Sequence, residues 1–331
     1  MKQMKNCYIC NADLQNETIY LNKFNHKLFE NKSISICMEC GFGQINTKLD
    51  QNDLKDYYEN IYRNINSPMH INFNSSYLDI NMLDFRSISQ LLLGRQYMCS
   101  KKAYHFLDIG AGEGLSFISA RKIFKNISLS VIESNSAAKN YYKKHFDDIS
   151  IYKNLNEIKD KIDVLLMSHS LEHFCINDTH ILFQDIHNVL ADDGIVIIEV
   201  PHADLRNSNY HKERLNDTPH LSFFSLESIS KLIDKSKFDL CFINTTGSLL
   251  MDKYSKKGSI EKKPNFIISR NGFGINRILK DSIKKVSKYV GLLGYLYKIN
   301  AILKTTEYSY NNINFQYGGN RDCIRFVLKK K

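Results

Sequence analysis

The sequence predicts an α/β fold: a seven-stranded, largely parallel sheet with helices on both faces, preceded by a small cysteine-rich ribbon. Three observations predict it. From residue 104 onward, apolar strand-like runs alternate with helical patterns, and such alternation builds a parallel sheet. The first run, Phe106-Leu107-Asp108-Ile109, enters the glycine turn Gly110-Ala111-Gly112-Glu113-Gly114, where the missing Cβ atoms let the backbone turn sharply and approach a ligand. Two Cys-x-x-Cys pairs, Cys7/Cys10 and Cys37/Cys40, stand ahead of both.

In chain order, the ribbon comes first. Two knuckles 26 residues apart can bring four thiolates around one Zn²⁺ in a closed tetrahedral site, which is structural because no coordination position stays open. Asn11 and Gly41 follow the pairs, and both residue types tolerate a left-handed turn. Thr18 to Leu21 and Ile34 to Ile36 look like short strands, and Leu54 to Tyr62 like a short amphipathic helix. The expected organisation is a zinc-ribbon domain at 1–62, a linker and helix at 63–100, and the main domain at 101–331. The other four cysteines are single and read as small core residues.

The strand-like runs of the main domain are 104–109, 127–132, 149–152, 162–167, 194–200, 238–243 and 322–328; helical patterns occupy 114–125, 135–145, 178–190 and 225–236. Leu190 to Gly194 reads as a turn. Glu133 ends the second run, and a carboxylate there can accept both hydroxyls of a ribose. The glycines run G-x-G-x-G with Asp108 two residues before the first. A carboxylate at that place repels a pyrophosphate and suits a cationic ligand, which separates this loop from the dinucleotide fingerprint.

Through this hydrophobic-Asp-x-Gly-x-Gly-x-Gly loop the chain resembles the class I S-adenosylmethionine-dependent methyltransferases. Further matches follow in order: Leu171-Glu172-His173 after the fourth strand, the strand ending at Pro201, and Thr218-Pro219-His220-Leu221-Ser222-Phe223-Phe224-Ser225 before the last helix. The resemblance covers residues 104–246 well. It implies a Rossmann-like seven-stranded methyltransferase sheet with an antiparallel last strand, and S-adenosyl-L-methionine as cofactor. It assigns Asp108, Gly110, Ala111 and Gly112 to the methionine end, Glu133 to the ribose, and Asn154, Leu155 and Ser168 to the neighbourhood of adenine. The layout is similar to zinc-ribbon sugar methyltransferases, without the C-terminal domain that normally follows in those. The expected acceptor is therefore a sugar, nucleotide-sugar or glycan of surface-polysaccharide assembly, with O-methylation favoured.

An alcohol acceptor must lose a proton, and a histidine near the methyl is the natural base. Candidates at strand ends are His169, His173, His202 and His220, with His220 first and His173 and Glu172 beside it. On a helix, His169, Glu172 and His173 would share one face, and the resemblance implies a divalent metal there, since similar triplets bind one in some quinone-biosynthetic members of this superfamily.

Hydrophobic content of 43% and charged content of 24% exclude a disordered or fibrous chain. No apolar run approaches the roughly 20 residues that span a bilayer. No signal peptide is visible, so the expected location is cytoplasmic. The net charge of +10 lies entirely in residues 251–331, with 18 basic and 5 acidic side chains. Residues 247–320 form an insertion whose apolar stripe (Ile275, Ile278, Leu279, Val286, Val290, Leu293, Leu296) and lysines suit a lid, a homodimer contact or a peripheral anionic membrane surface. A nucleic-acid partner, as in an RNA methyltransferase, finds support in this basic tail. Against it stand the ribbon, which has no basic excess, and Ser168-His169-Ser170-Leu171 in place of an Asn/Asp-Pro-Pro-aromatic motif. A non-catalytic zinc-ribbon scaffold is disfavoured by the intact glycine loop and Glu133.

Overall fold

The structure is a computed structural model that describes residues 5–20, 26–30, 32–45, 49, 51–62, 85–146, 148–204, 206, 220–249 and 315–331. Most of the basic insertion, with its predicted helix, lies outside the described residues, as do 63–84 of the linker.

Two sheets organise it. The small one joins β1 (Gln15–Tyr20), β2 (Ser33–Ile36), β3 (Gly43–Ile45) and β9 (Ser222–Phe223), all antiparallel. The large one contains β4 (Tyr104–Ile109), β5 (Ile127–Ile132), β6 (Ile149–Tyr152), β7 (Ile162–Ser168), β8 (Leu190–Pro201), β10 (Phe238–Leu249) and β11 (Arg321–Lys330), in the order β10-β11-β8-β7-β4-β5-β6. The central strands pair in parallel, and β11 runs antiparallel to both β10 and β8.

Helices α1 (Gln51–Asp56), α2 (Phe85–Arg95), α3 (Leu115–Ile123), α4 (Ser136–His145), α5 (Ile176–Val189) and α6 (Leu226–Leu232) accompany the sheets. A wider π-type turn, Tyr57–Ile61, prolongs α1. The apolar runs of the large sheet are continuous because both faces are covered. Leu165 and Met167 enter one core with Leu107, Ile198 and Phe326, while Val164 and Leu166 enter the other with Phe106, Val131 and Ile197.

Strand β8 starts at Leu190, not after the expected turn. Leu190 already pairs with Ile162, and the register slips before Val164 meets Ile195. Residues 171–173 form a single 3-10 turn rather than a helix. His169 adopts φ 55° and turns the chain out of β7, so the expected helical face of His169, Glu172 and His173 does not exist.

The ribbon is built into the main domain. Phe42 packs on Phe224 at 5.4 Å between ring centroids. Ser225 Oγ donates to the Cys40 carbonyl at 2.5 Å, and β9 pairs with β3.

Candidate active site

A cavity of about 660 Å³ opens at the carboxyl ends of β4, β5 and β7, where open α/β sheets place their ligands. One end is the glycine loop. Gly110 has φ +79°, and a Cβ there would stand 2.4 Å from Ser170 Oγ. That hydroxyl donates to the Ile109 carbonyl at 2.7 Å, so loop and β7 exit pack without room for a side chain. Asp108 is buried, and Ser116 Oγ donates to its Oδ2 at 2.5 Å. Glu133 accepts from the Gly112 amide at 3.2 Å and the Asn135 amide at 2.9 Å. Asp108, Gly110, Ala111, Gly112, Glu133 and Ser168 all line the cavity.

Asn154 and Leu155 are not among the cavity's lining residues. The Asn154 side chain accepts from the Asn156 amide as the cap of a 3-10 turn, and Leu155 is buried in the core. Local capping and core packing claim both side chains.

The other end of the cavity is aromatic and basic. Tyr58, Tyr62, Arg86, His169, His173 and Phe174 line it. Tyr58 and Tyr62 come from the turn after α1, and their hydroxyls lie 3.1 Å from His173 Nδ1 and 3.4 Å from His173 Nε2. Burial pushes the Tyr58 phenol well above its ordinary pKa. His220 packs behind His173, ring centroids 5.0 Å apart, and its Nε2 lies 3.9 Å from Glu172 Oε1. The three expected acceptor-side residues, Glu172, His173 and His220, thus converge, with His173 on the cavity wall. Leu221 fixes this arrangement: its amide donates to the Glu172 carbonyl, and its carbonyl accepts from the Ile45 amide of β3.

Burial alone would raise the pKa of Glu172, yet His169 at 3.5 Å, His173 and His220 outweigh it and hold the carboxyl down to about 2. Burial opposes charging of His169 as well, but Cys323, Glu172 and Glu199 together carry its pKa well above the usual histidine value. His202 turns away, its Nδ1 2.9 Å from the Arg321 carbonyl.

Beneath the cavity, Arg325 is wholly buried and pairs with Glu199 at 2.7 and 2.5 Å. Its guanidinium also donates to Ser89 Oγ and Tyr317 Oη. This pair carried no sequence signal beyond two charges inside apolar runs. The tyrosine wall likewise showed only as part of an amphipathic helix.

The four cysteine sulfurs lie within 4.8 Å of one another. Cys7 and Cys40 are separated by 3.7 Å and Cys10 and Cys37 by 3.4 Å, against about 3.8 Å for the edge of a tetrahedron with Zn–S bonds of about 2.3 Å. Asn11 and Gly41 take φ 60° and 71°. Each knuckle closes alike, Asn11 N to the Cys7 carbonyl and Gly41 N to the Cys37 carbonyl. The cluster is compatible with a zinc ribbon and fits that ion in donor type and spacing.

The strand order, the reversed β11 and the glycine loop at the head of α3 define a class I S-adenosylmethionine-dependent methyltransferase. Residues 85–241 match the family model described as a methyltransferase domain. No curated protein sequence matches the chain. Among solved structures, a cyclopropane synthase of Mycobacterium tuberculosis is similar at 14% identity and TM-score 0.44, over 73% of this chain and 84% of that one. A plantazolicin methyltransferase in complex with S-adenosylhomocysteine is similar at 15% identity and TM-score 0.47, over 84% and 94%. A coclaurine N-methyltransferase is similar at 14% identity and TM-score 0.43, over 76% and 75%.

Proposed function

We propose that this S-adenosylmethionine-dependent methyltransferase methylates a hydroxyl of a sugar, carried as a nucleotide-sugar or glycan, in surface-polysaccharide or glycoconjugate assembly. The observation that carries the reading is the two-ended cavity. Its loop end offers Asp108 and Glu133 to a cationic nucleoside. Its far end combines the faces of Tyr58, Tyr62 and Phe174 with histidine, serine and arginine groups. Such a wall suits a ring with apolar C–H faces and hydroxyl edges.

In this reading Asp108, Gly110, Ala111 and Gly112 hold the methionine portion, Glu133 the ribose, and Ser168 borders the adenine. The acceptor oxygen attacks the methyl carbon in line. The new O–CH₃ bond forms as the S–CH₃ pair returns to sulfur, leaving neutral S-adenosylhomocysteine. Alignment of nucleophile, methyl and sulfur supplies much of the rate. Activation of the acceptor hydroxyl falls to Glu172, His173 and His220. The four cysteines bind a structural Zn²⁺, which supplies folding energy and no chemistry.

Calorimetry with S-adenosylmethionine tests the donor end. Glu133→Ala should weaken binding roughly 100-fold, the loss of two charged-acceptor hydrogen bonds at about 1.5 kcal/mol each; unchanged affinity would refute the assignment. Incubation with labelled donor tests the acceptor class. Transfer to nucleotide-sugars or glycans supports the reading, and transfer to RNA alone overturns it.

A further inference from the structure

We propose, on the reading that Glu133 binds the donor ribose, that Asn135 is a positioning residue that couples the two ends of the cavity. It transmits the filling of the donor end to the tyrosine turn that walls the acceptor end. Asn135 touches neither ligand. It is 7% exposed and stands behind the cavity wall, whereas Glu133 and Ser134 just before it line that wall.

Three polar groups of Asn135 lead to three different elements. Its backbone amide donates to Glu133 Oε1 at 2.9 Å, at the tip of β5. Its Oδ1 accepts from the Ala138 amide at 3.0 Å and caps α4. Its Nδ2 donates to the Glu59 carbonyl at 3.4 Å, in the π-type turn that prolongs α1 and 76 positions away in sequence. A helix cap needs only a side-chain oxygen, which serine, threonine or aspartate supplies equally. Of the preferred caps, asparagine alone adds an N–H donor with this reach. The contact to Glu59 therefore accounts for the residue type, and the cap does not.

Glu59 lies between Tyr58 and Tyr62. Both tyrosines line the cavity, and their hydroxyls meet the two ring nitrogens of His173. The turn is thus held on the acceptor side by His173 and on the donor side by Asn135. Ordinary N–H···O bonds run 2.7–3.2 Å, so the bond to Glu59 is the slack member of the chain from Gly112 through Glu133 to the turn. A slack bond is the one whose formation a ligand can shift. Ribose hydroxyls donated to Glu133 restrain its carboxylate and, through it, the Asn135 amide. The side chain, already fixed to α4 through Oδ1, then keeps Nδ2 aimed at Glu59, and the turn loses freedom. Coupling of this kind needs restricted motion and no large displacement. The donor in this way sets the tyrosine wall against which the acceptor is aligned. One neutral hydrogen bond corresponds to about fivefold in such an equilibrium.

Amide exchange of the full chain, with and without saturating S-adenosylhomocysteine, reads the coupling. In wild type the ligand should slow exchange at residues 110–114 and, by about fivefold, at residues 57–62. Asn135→Ser keeps a capping oxygen but is too short to reach Glu59. It should keep residues 136–145 protected, keep the slowing at 110–114 and lose it at 57–62. Asn135→Thr is an independent variant with the same expectation. Because coupling is reciprocal, either variant should lose no more than about fivefold in S-adenosylhomocysteine affinity. Asn135→Ala lacks the cap as well and should also loosen 136–145; a purely capping residue would respond to alanine and not to serine. Wild-type slowing at 110–114 with none at 57–62 overturns the proposal, as does slowing at 57–62 that the serine and threonine variants retain. A serine variant that loses affinity as severely as Glu133→Ala would place Asn135 in the donor site itself and also overturn it. Failure of wild type to bind S-adenosylhomocysteine at all is a separate result, which removes the donor assignment and the coupling with it.

Discussion

Arg325 and Glu199 face each other across β11 and β8, in register and fully enclosed. Burial pushes Glu199 up, but Arg325, His169 and Arg86 outweigh it and hold the carboxyl below its ordinary value. A lowered carboxyl adds stability above its unfolded pKa of about 4.3 and loses it as pH falls through the folded value. Wild-type protein should therefore weaken on acidification below that point. Arg325→Met strands the carboxylate and should cost about 3–5 kcal/mol at pH 7. With its main counter-ion gone, Glu199 is pushed upward by burial, so mild acid should narrow the gap to wild type. Urea midpoints at pH 7 and pH 5 measure this, and an equal loss at both values would exclude the ion pair as the cause. The two residues are 126 positions apart, and no local pattern announces their pairing. Asp108, the glycines and Glu133 were legible because strand, turn and helix place them within one short stretch of sequence.

At the scale of elements, the same contrast separates the cysteine knuckles from the strands that join them to the rest. Knuckle spacing and the left-handed turns at Asn11 and Gly41 could be read from residue type. Strands β3 and β9 have three and two residues, too few to show a period, and their pairing links positions 43–44 to 222–223. Yet this seam holds His220 and Leu221 beside Glu172. Structural zinc contributes about 10–16 kcal/mol of binding free energy in small domains, more than a four-stranded sheet of this size can replace. With the proposed zinc at the four cysteines, Cys37→Ser should release the ribbon sheet and with it β9. Amide exchange over residues 220–225 should accelerate, while residues 104–135 around the donor loop keep their protection. Exchange rising equally in both regions would show that the ribbon and the large sheet unfold as one unit, against this expectation.

For the whole molecule, the order β10-β11-β8-β7-β4-β5-β6 was legible as far as alternation and motif order go, because each buried strand is a self-contained apolar run. The cavity was less legible. Its walls come from the ribbon's helix and turn (Leu54 to Tyr62), from α2 (Arg86, Ser87), from the β4 loop, the β5 tip and the exit of β7. Those pieces meet only when both sheets are formed, so a ligand filling the donor end is linked to the folded state of the large sheet. Binding confined to the native state stabilises it by about 2.7 kcal/mol when free ligand is at 100 times its Kd. At about 2–4 °C per kcal/mol for domains of this size, S-adenosylmethionine should raise the melting temperature by roughly 5–10 °C. Glu133→Ala should lose most of that shift at the same ligand concentration, each shift being read against the same protein's ligand-free melting point, which falls in the variant because the Gly112 and Asn135 amides lose their acceptor. NAD⁺ should give no shift, because Asp108 stands where a pyrophosphate would have to lie. A rise with NAD⁺ and none with S-adenosylmethionine would reverse the electrostatic argument on which the donor assignment stands.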